Sequence, residues 1–210
     1  MHYSNNTTEL AKRLVDAAIA GAALVMLAPL LLIIGTLVRL DSKGPALFRQ
    51  LRIGAARTDR TELFEMIKFR TMVVDAEDVT GAVWAKRKDP RVTRLGRLLR
   101  NTRLDELPQL INVLRGEMSL IGPRPERPGF YKKLEMQIPF FAERTYGLRP
   151  GITGLAQVNQ GYDACIADVR RKVGFDHAYA LALTDLRNWL RTDLSIAMRT
   201  VLVMAFGRGQ

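Results

Sequence analysis

Of 210 residues, 48% are hydrophobic, and 32 Lys or Arg stand against 21 Asp or Glu, a formal charge of +11. The length gives one domain with a real core, or a small domain plus an anchor. One cysteine, Cys165, excludes an internal disulfide, and two histidines, His2 and His177, exclude a Cys/His zinc cluster; the charge asks for an anionic partner, namely nucleic acid, an acidic membrane surface or phosphorylated substrates.

Ala17 to Val38 is an uncharged apolar run, near the roughly 20 residues that cross a bilayer. It is too long for the apolar core of a cleavable signal, and no small-x-small site follows it. Pro29 falls inside the run and should break it. Lys12 and Arg13 precede it, and Arg39 and Lys43 follow. Both flanks being basic, both ends should stay on the cytoplasmic side. The expectation is a helix–break–helix that enters one leaflet and returns; the alternative is a kinked spanning helix. Residues 1–40 are thus read as a membrane anchor and 41–210 as a cytoplasmic-face domain.

After the turn cluster at Asp41–Pro45, Ala46 to Ile53 and Leu63 to Met72 read as two strands of a hairpin. Alternation puts Lys68 and Arg70 on one face, suited to phosphate oxygens. Residues 75–90 read as polar loop, and Thr93 to Leu99 as a short helix. The arginines at 91, 94, 97, 100 and 103 recur every third position. On a 3.6-residue period they drift around the helix, so they cannot all face one ligand.

Asp105 and Glu106 follow, ahead of the helical pattern Leu107, Leu110, Ile111 and Leu114. Pro108 belongs in a first helical turn, so the two carboxylates should sit at a helix N-terminus, where negative charge is favoured. Gly116 should stop that helix. Met118 to Ile121 reads as a buried strand. Arg124 is held between two prolines, and its guanidinium could grip phosphate bidentately. Pro128 to Tyr146 reads as one amphipathic helix, Arg149 to Gly154 as a rigid loop, and Asp163 to Leu183 and Asp185 to Phe206 as helices. The last suits a membrane interface or a core equally. His177 reads as a packed helix residue.

Several long stretches in order resemble one family. They are Phe48-Arg49-Gln50, Lys68-Phe69-Arg70-Thr71-Met72, Asp89-Pro90-Arg91-Val92-Thr93-Arg94, Leu104 through Gly116 with its Asp-Glu-Leu-Pro core, Met118 through Pro125, and Arg149 through Asn159. The chain resembles the bacterial sugar transferases, the monotopic phosphoglycosyl transferases, in a minimal single-domain form. That resemblance implies a mainly helical α+β fold, half-sunk in the cytoplasmic leaflet of a bacterial inner membrane, with a re-entrant helix broken at Pro29 and a small β-hairpin. Family members often have Ser where Arg103 stands, which leaves Thr102 to take over as cap.

The resemblance also implies a reaction. Sugar-1-phosphate passes from a UDP-sugar to undecaprenyl phosphate, and UMP leaves. Asp105 would be the nucleophile, and Glu106, with Asp105, the Mg²⁺ ligand. Lys68, Arg70, Arg100, Arg124, Arg149 and Gln157 would contact phosphate or substrate. Anionic lipids would hold the basic surface. A single-step transfer without a covalent intermediate is the alternative within this class. A membrane-anchored nucleic-acid module is the alternative outside it, without a helix-turn-helix, zinc or RNA-binding signature to support it. The sugar, the polymer and the oligomeric state stay open, a homodimer among the options.

Overall fold

The computed structural model describes residues 6–74, 76, 89–160 and 166–206. Most of the expected loop 75–90, Cys165 and the first residues of the helix expected from Asp163 lie outside them. The described chain is mainly helical. It has seven α-helices, α1 (Asn6–Asp41), α2 (Arg94–Asn101), α3 (Gln109–Arg115), α4 (Pro128–Gln137), α5 (Leu155–Asn159), α6 (Ile166–Ala182) and α7 (Leu186–Phe206). Four strands accompany them: β1 (Leu47–Ala56), β2 (Thr61–Phe69), β3 (Ser119–Ile121) and β4 (Gly151–Thr153).

α1 is a single helix with Pro29 inside it, so the expected break is not a break in the helix. A proline removes one N–H, here the donor to the Val25 carbonyl, but the bonds of the neighbouring turns carry the helix past it. α1 is long and apolar enough to cross a membrane, and only 11% of its most apolar window is buried. It is therefore not the core helix of an ordinary soluble domain. Its contacts fall in two sets. Toward its start, Arg13 donates to the Val113 and Leu114 carbonyls at 2.6 and 2.7 Å, and Ala20 packs with Phe64, Leu110 and Val113. Toward its end, Ile34 and Val38 pack with Phe69 and Leu99. Between them Val25, Met26, Leu32 and Ile33 are exposed.

β1 and β2 form the expected antiparallel hairpin, with Leu47 opposite Phe69 and a register shift between Ile53 and Ala56. One face of β2 is covered along most of its length, and the other only toward its end, where Ile67 and Phe69 are buried. Phe64 and Met66 face α3 and the first half of α1; Phe69 faces the second half of α1 and α2. Lys68 shares the face of Phe64 and Met66 by strand alternation. Asn112, fully buried, fastens α3 to this strand: its Oδ1 accepts from Ile67 N–H at 3.0 Å, and its Nδ2 donates to the Glu65 carbonyl at 2.8 Å.

The segment 149–154, expected as a loop, contains β4, which pairs in parallel with β3 (Ser119 with Gly151, Ile121 with Thr153). The backbones approach so closely there that a Cβ on Gly151 would lie 2.1 Å from Gly122 N. The helix expected over 128–146 is two pieces, α4 and a 3₁₀ turn at Ala142–Thr145. Pro139 explains the split, because the residue before a proline is pushed out of the helical region. Ile138, at φ −125° and ψ 111°, is extended. α6 and α7 close the domain around Tyr179, Trp189 and Ile196. His177 lies within α6, as expected of a packed helix residue.

Candidate active site

Asp105 and Glu106 occupy a 3₁₀ turn, Leu104–Glu106, directly ahead of α3. Pro108 sits at the start of α3 and Gly116 ends it at φ 81°, both as the sequence predicts. Thr102 does not cap this turn; its hydroxyl donates backward to the Leu98 and Leu99 carbonyls and closes α2. The reversal is made by Arg103, at φ 59°, a left-handed conformation uncommon for a side chain that is not glycine. That turn brings the acidic pair inward, and both residues are buried.

Cations surround the pair. Lys68 Nζ lies 3.4 Å and Arg124 Nη2 3.2 Å from the same oxygen, Glu106 Oε1. Burial opposes charge on Glu106, but Arg124, Lys68 and Arg103 outweigh it and hold its pKa down to about 2. Asp105 shifts the other way: burial and the neighbouring Glu106 raise it, while Lys68, Arg100 and Arg103 pull it down only in part. Burial lowers Lys68 to about 8, against the pull of Glu106. The site therefore holds one carboxylate firmly ionised and a second that is incompletely compensated.

The arginine ladder divides as its period requires. Arg100 and Arg103 act on Asp105, Arg94 and Arg97 are exposed, and Arg91 pairs with Asp89 at 2.6 Å. Arg100 is aimed by Thr71, whose Oγ1 accepts from Nε at 2.8 Å. Gly96 lets that segment come close, since a Cβ there would stand 2.1 Å from the Thr71 carbonyl oxygen.

Two other candidates do different work. Arg70 lies just past the end of β2. Its guanidinium donates to Pro45 O (2.7 Å), Ser42 Oγ (2.6 Å), Ser42 O (2.7 Å) and Lys43 O (2.9 Å), gathering the turn after α1. Arg149 donates to Gly116 O at 3.0 Å and lies 3.6 Å from Glu9, which ties the end of α3 to the start of α1. Both serve the seating of α1.

Residues that the sequence did not single out hold Arg124 in place. Four successive carbonyls of its turn are engaged: Pro123 O accepts from Gly151 N at 2.9 Å, Arg124 O from Arg144 at 3.0 Å, Pro125 O from Arg52 at 2.9 Å and Glu126 O from Ile53 N at 2.9 Å. Arg144 is itself fixed by Asp176 at 2.7 Å, both fully buried. Such partners, spread over four segments, leave no short motif to read.

Gln157 lies on the wall of a cavity of about 650 Å³, together with Arg103, Glu106 and Arg124. Both of its amide atoms are buried without a hydrogen-bond partner among the described residues. The rest of that cavity is lined mainly by apolar side chains, from α1 and α7 and from Leu107, Leu110, Leu120, Ile121, Ile152 and Val158 between them in the chain.

A buried carboxylate pair ringed by cations, with Glu106 on the wall of a largely apolar groove, is an arrangement whose charge suits anionic groups. Residues 7–207 match the profile of the Bacterial sugar transferase family, and the chain belongs to that family. It is similar to the UDP-N-acetylgalactosamine-undecaprenyl-phosphate N-acetylgalactosaminephosphotransferase of Aeromonas hydrophila, 41% identical over 94% of this chain and 44% of that protein. It is 42% identical to the UDP-glucose:undecaprenyl-phosphate glucose-1-phosphate transferase of Caulobacter vibrioides, over 92% of this chain and 69% of the relative. It thus spans less than half of the first and about two thirds of the second.

Proposed function

We propose that this chain transfers a sugar-1-phosphate from a UDP-sugar to undecaprenyl phosphate, with Asp105 as the nucleophile. The observation that carries the reading is the buried Asp105–Glu106 pair facing Lys68, Arg100, Arg103 and Arg124. The names of the relatives supply donor and acceptor.

In the first step an Asp105 oxygen attacks the β-phosphorus, the P–O bond to the α-phosphate breaks, and UMP leaves as the dianion. In the second, an oxygen of the polyprenyl phosphate dianion attacks the same phosphorus, and the Asp105 carboxylate is restored. Lys68, Arg100, Arg103 and Arg124 offset the charge where anions meet. Gln157 offers its amide to a polar group of the substrate. Arg70 and Arg149 support the site from the seating of α1.

The residues present fit Mg²⁺. Among the described residues no three acidic, His or Cys side chains cluster, but Mg²⁺ commonly takes one or two carboxylates and completes its shell with water and substrate phosphate. Asp105 and Glu106 repel one another, a repulsion a divalent cation relieves. Bound there, it would neutralise and orient the diphosphate.

The anchor reading rests on α1. One domain grips both its start and its end, and leaves its middle, around Pro29, exposed. A helix crossing to the far side would leave one end beyond the reach of a domain that stays on the near side. We assign 1–40 to a re-entrant anchor that turns by a proline kink at Pro29 in place of the expected break, and 41–210 to a domain on the cytoplasmic face of the inner membrane. Anionic lipids meet its surplus positive charge.

The test is the first half-reaction. Protein given UDP-sugar and Mg²⁺ without acceptor should release one UMP per chain and gain the mass of sugar-phosphate on the peptide holding Asp105. Asp105→Asn should do neither. Turnover by that variant, or turnover by the unaltered chain with no adduct, overturns the nucleophile assignment and favours direct transfer.

A further inference from the structure

The cavity beside the acidic pair is larger than the chemistry needs. Its volume is about 650 Å³, and it follows α7 from Trp189 to Met204, roughly 22 Å of helix at 1.5 Å per residue. Its opposite wall is α1, through Val15 and Ile19. Leu190, Leu194 and Met204 are exposed along it, an arrangement that costs free energy in water and needs an apolar occupant.

The groove is not uniformly apolar. Arg103, Glu106, Arg124 and Gln157 also line it, and Gln157 presents a buried amide with no partner among the described residues. The two other carboxylates in the lining are answered from within the fold. Asp193 accepts from Lys12 at 2.8 Å, Tyr179 at 2.8 Å and Trp189 at 2.7 Å. Asp16 accepts from Ser119 at 2.7 Å. The Lys12–Asp193 bond also clips α1 to α7, and the Asp16–Ser119 bond ties α1 to β3.

Resting on the transferase reading above, we infer that the groove between α1 and α7 seats the isoprenoid tail of the polyprenyl phosphate, with its phosphate directed to Arg103, Arg124 and Gln157. An anionic headgroup on a long apolar chain matches a long, largely apolar slot whose wall also carries Arg103, Arg124 and Gln157. The donor sugar nucleotide, with no tail, leaves the α7 part of the slot unused.

The test uses the full chain in nanodiscs and a polyprenyl phosphate carrying a diazirine along its tail. Irradiation should label peptides of α1 and α7; excess undecaprenyl phosphate should suppress the labelling and excess phosphatidylglycerol should not. Ala197→Trp fills the slot from an exposed position that lines it; it should cut labelling and raise the acceptor KM by about tenfold, while UMP release without acceptor stays unchanged. Ser195→Trp, exposed on the same helix outside the lining, should change neither. Labelling elsewhere, equal competition by phosphatidylglycerol, or an Ala197→Trp chain that labels normally and only loses self-association overturns the assignment. UMP release tests the transferase reading separately, since the labelling needs no turnover.

Discussion

Lys68 Nζ lies 3.4 Å from Glu106 Oε1, across a separation of 38 residues. The contact joins the hairpin to the acidic turn, and both side chains are largely withdrawn from water. Lys68→Met should therefore hurt twice. Removing one partner of a buried pair costs about 3 kcal/mol of stability, and loss of a charge facing phosphate should lower kcat by about a hundredfold. Lys68→Arg should recover most of the stability. Thermal melting and UMP-release rates read the two effects separately.

The pH profile should have two limbs. Asp105 is raised by its burial and by Glu106, so activity should rise with pH through a value above the usual carboxylate range. Lys68 stands at about 8, so the charge it offers to phosphate, and activity with it, should fall as pH passes about 8. Lys68→Arg should remove the alkaline limb and keep the acid one. Stability follows the opposite sign for Lys68. The unfolded chain, at its ordinary 10.5, binds more protons than the folded one between about 8 and 10.5, so stability should rise across that window. Glu106, at about 2 against an ordinary 4.5, contributes stability above 4.5 that disappears as pH falls toward 2.

Arg70 separates a structural role from a binding one. Its donors go to the turn that ends α1, and lysine cannot reproduce that fork. Arg70→Lys should lower stability by about 2 kcal/mol and leave the UDP-sugar KM of the folded fraction unchanged. A KM increase with an unchanged melting curve would return Arg70 to the phosphate site.

Arg144 is a positioning residue for Arg124. It spans Asp176 and the Arg124 carbonyl, which lysine, with a single ammonium, cannot hold together. Arg144→Lys should reduce kcat/KM about tenfold, and the same change in an Arg124→Ala background should reduce it far less, because coupled residues do not add. Equal losses in both backgrounds would make Arg144 a stability residue only.

Much of the local structure was legible. The alternation through Lys68, the Pro108 start and the Gly116 stop each act within a few residues and mark their elements, whereas α1 runs unbroken from Asn6 to Asp41, well beyond the run Ala17 to Val38, and β2 ends at Phe69 rather than Met72. Pro139 was a legible stop signal that the expected helix over 128–146 ran through.

The assembly was not legible, because its causes lie far apart in the chain. Alternation would put Lys68 and Arg70 on one strand face, yet Lys68 faces Glu106 and Arg70 the end of α1, since the strand stops between them. The four backbone contacts that fix Arg124 come from β1, β4 and the 3₁₀ turn after α4. The groove exists only because α7, at the far end of the sequence, lies against α1. Sequence determines which residues carry charge and which segments are helical or extended. Only the tertiary packing decides which charges meet away from water: burial pushes both carboxyls up, and it is the closeness of Arg124 and Lys68 to Glu106 that separates its acid strength from that of Asp105.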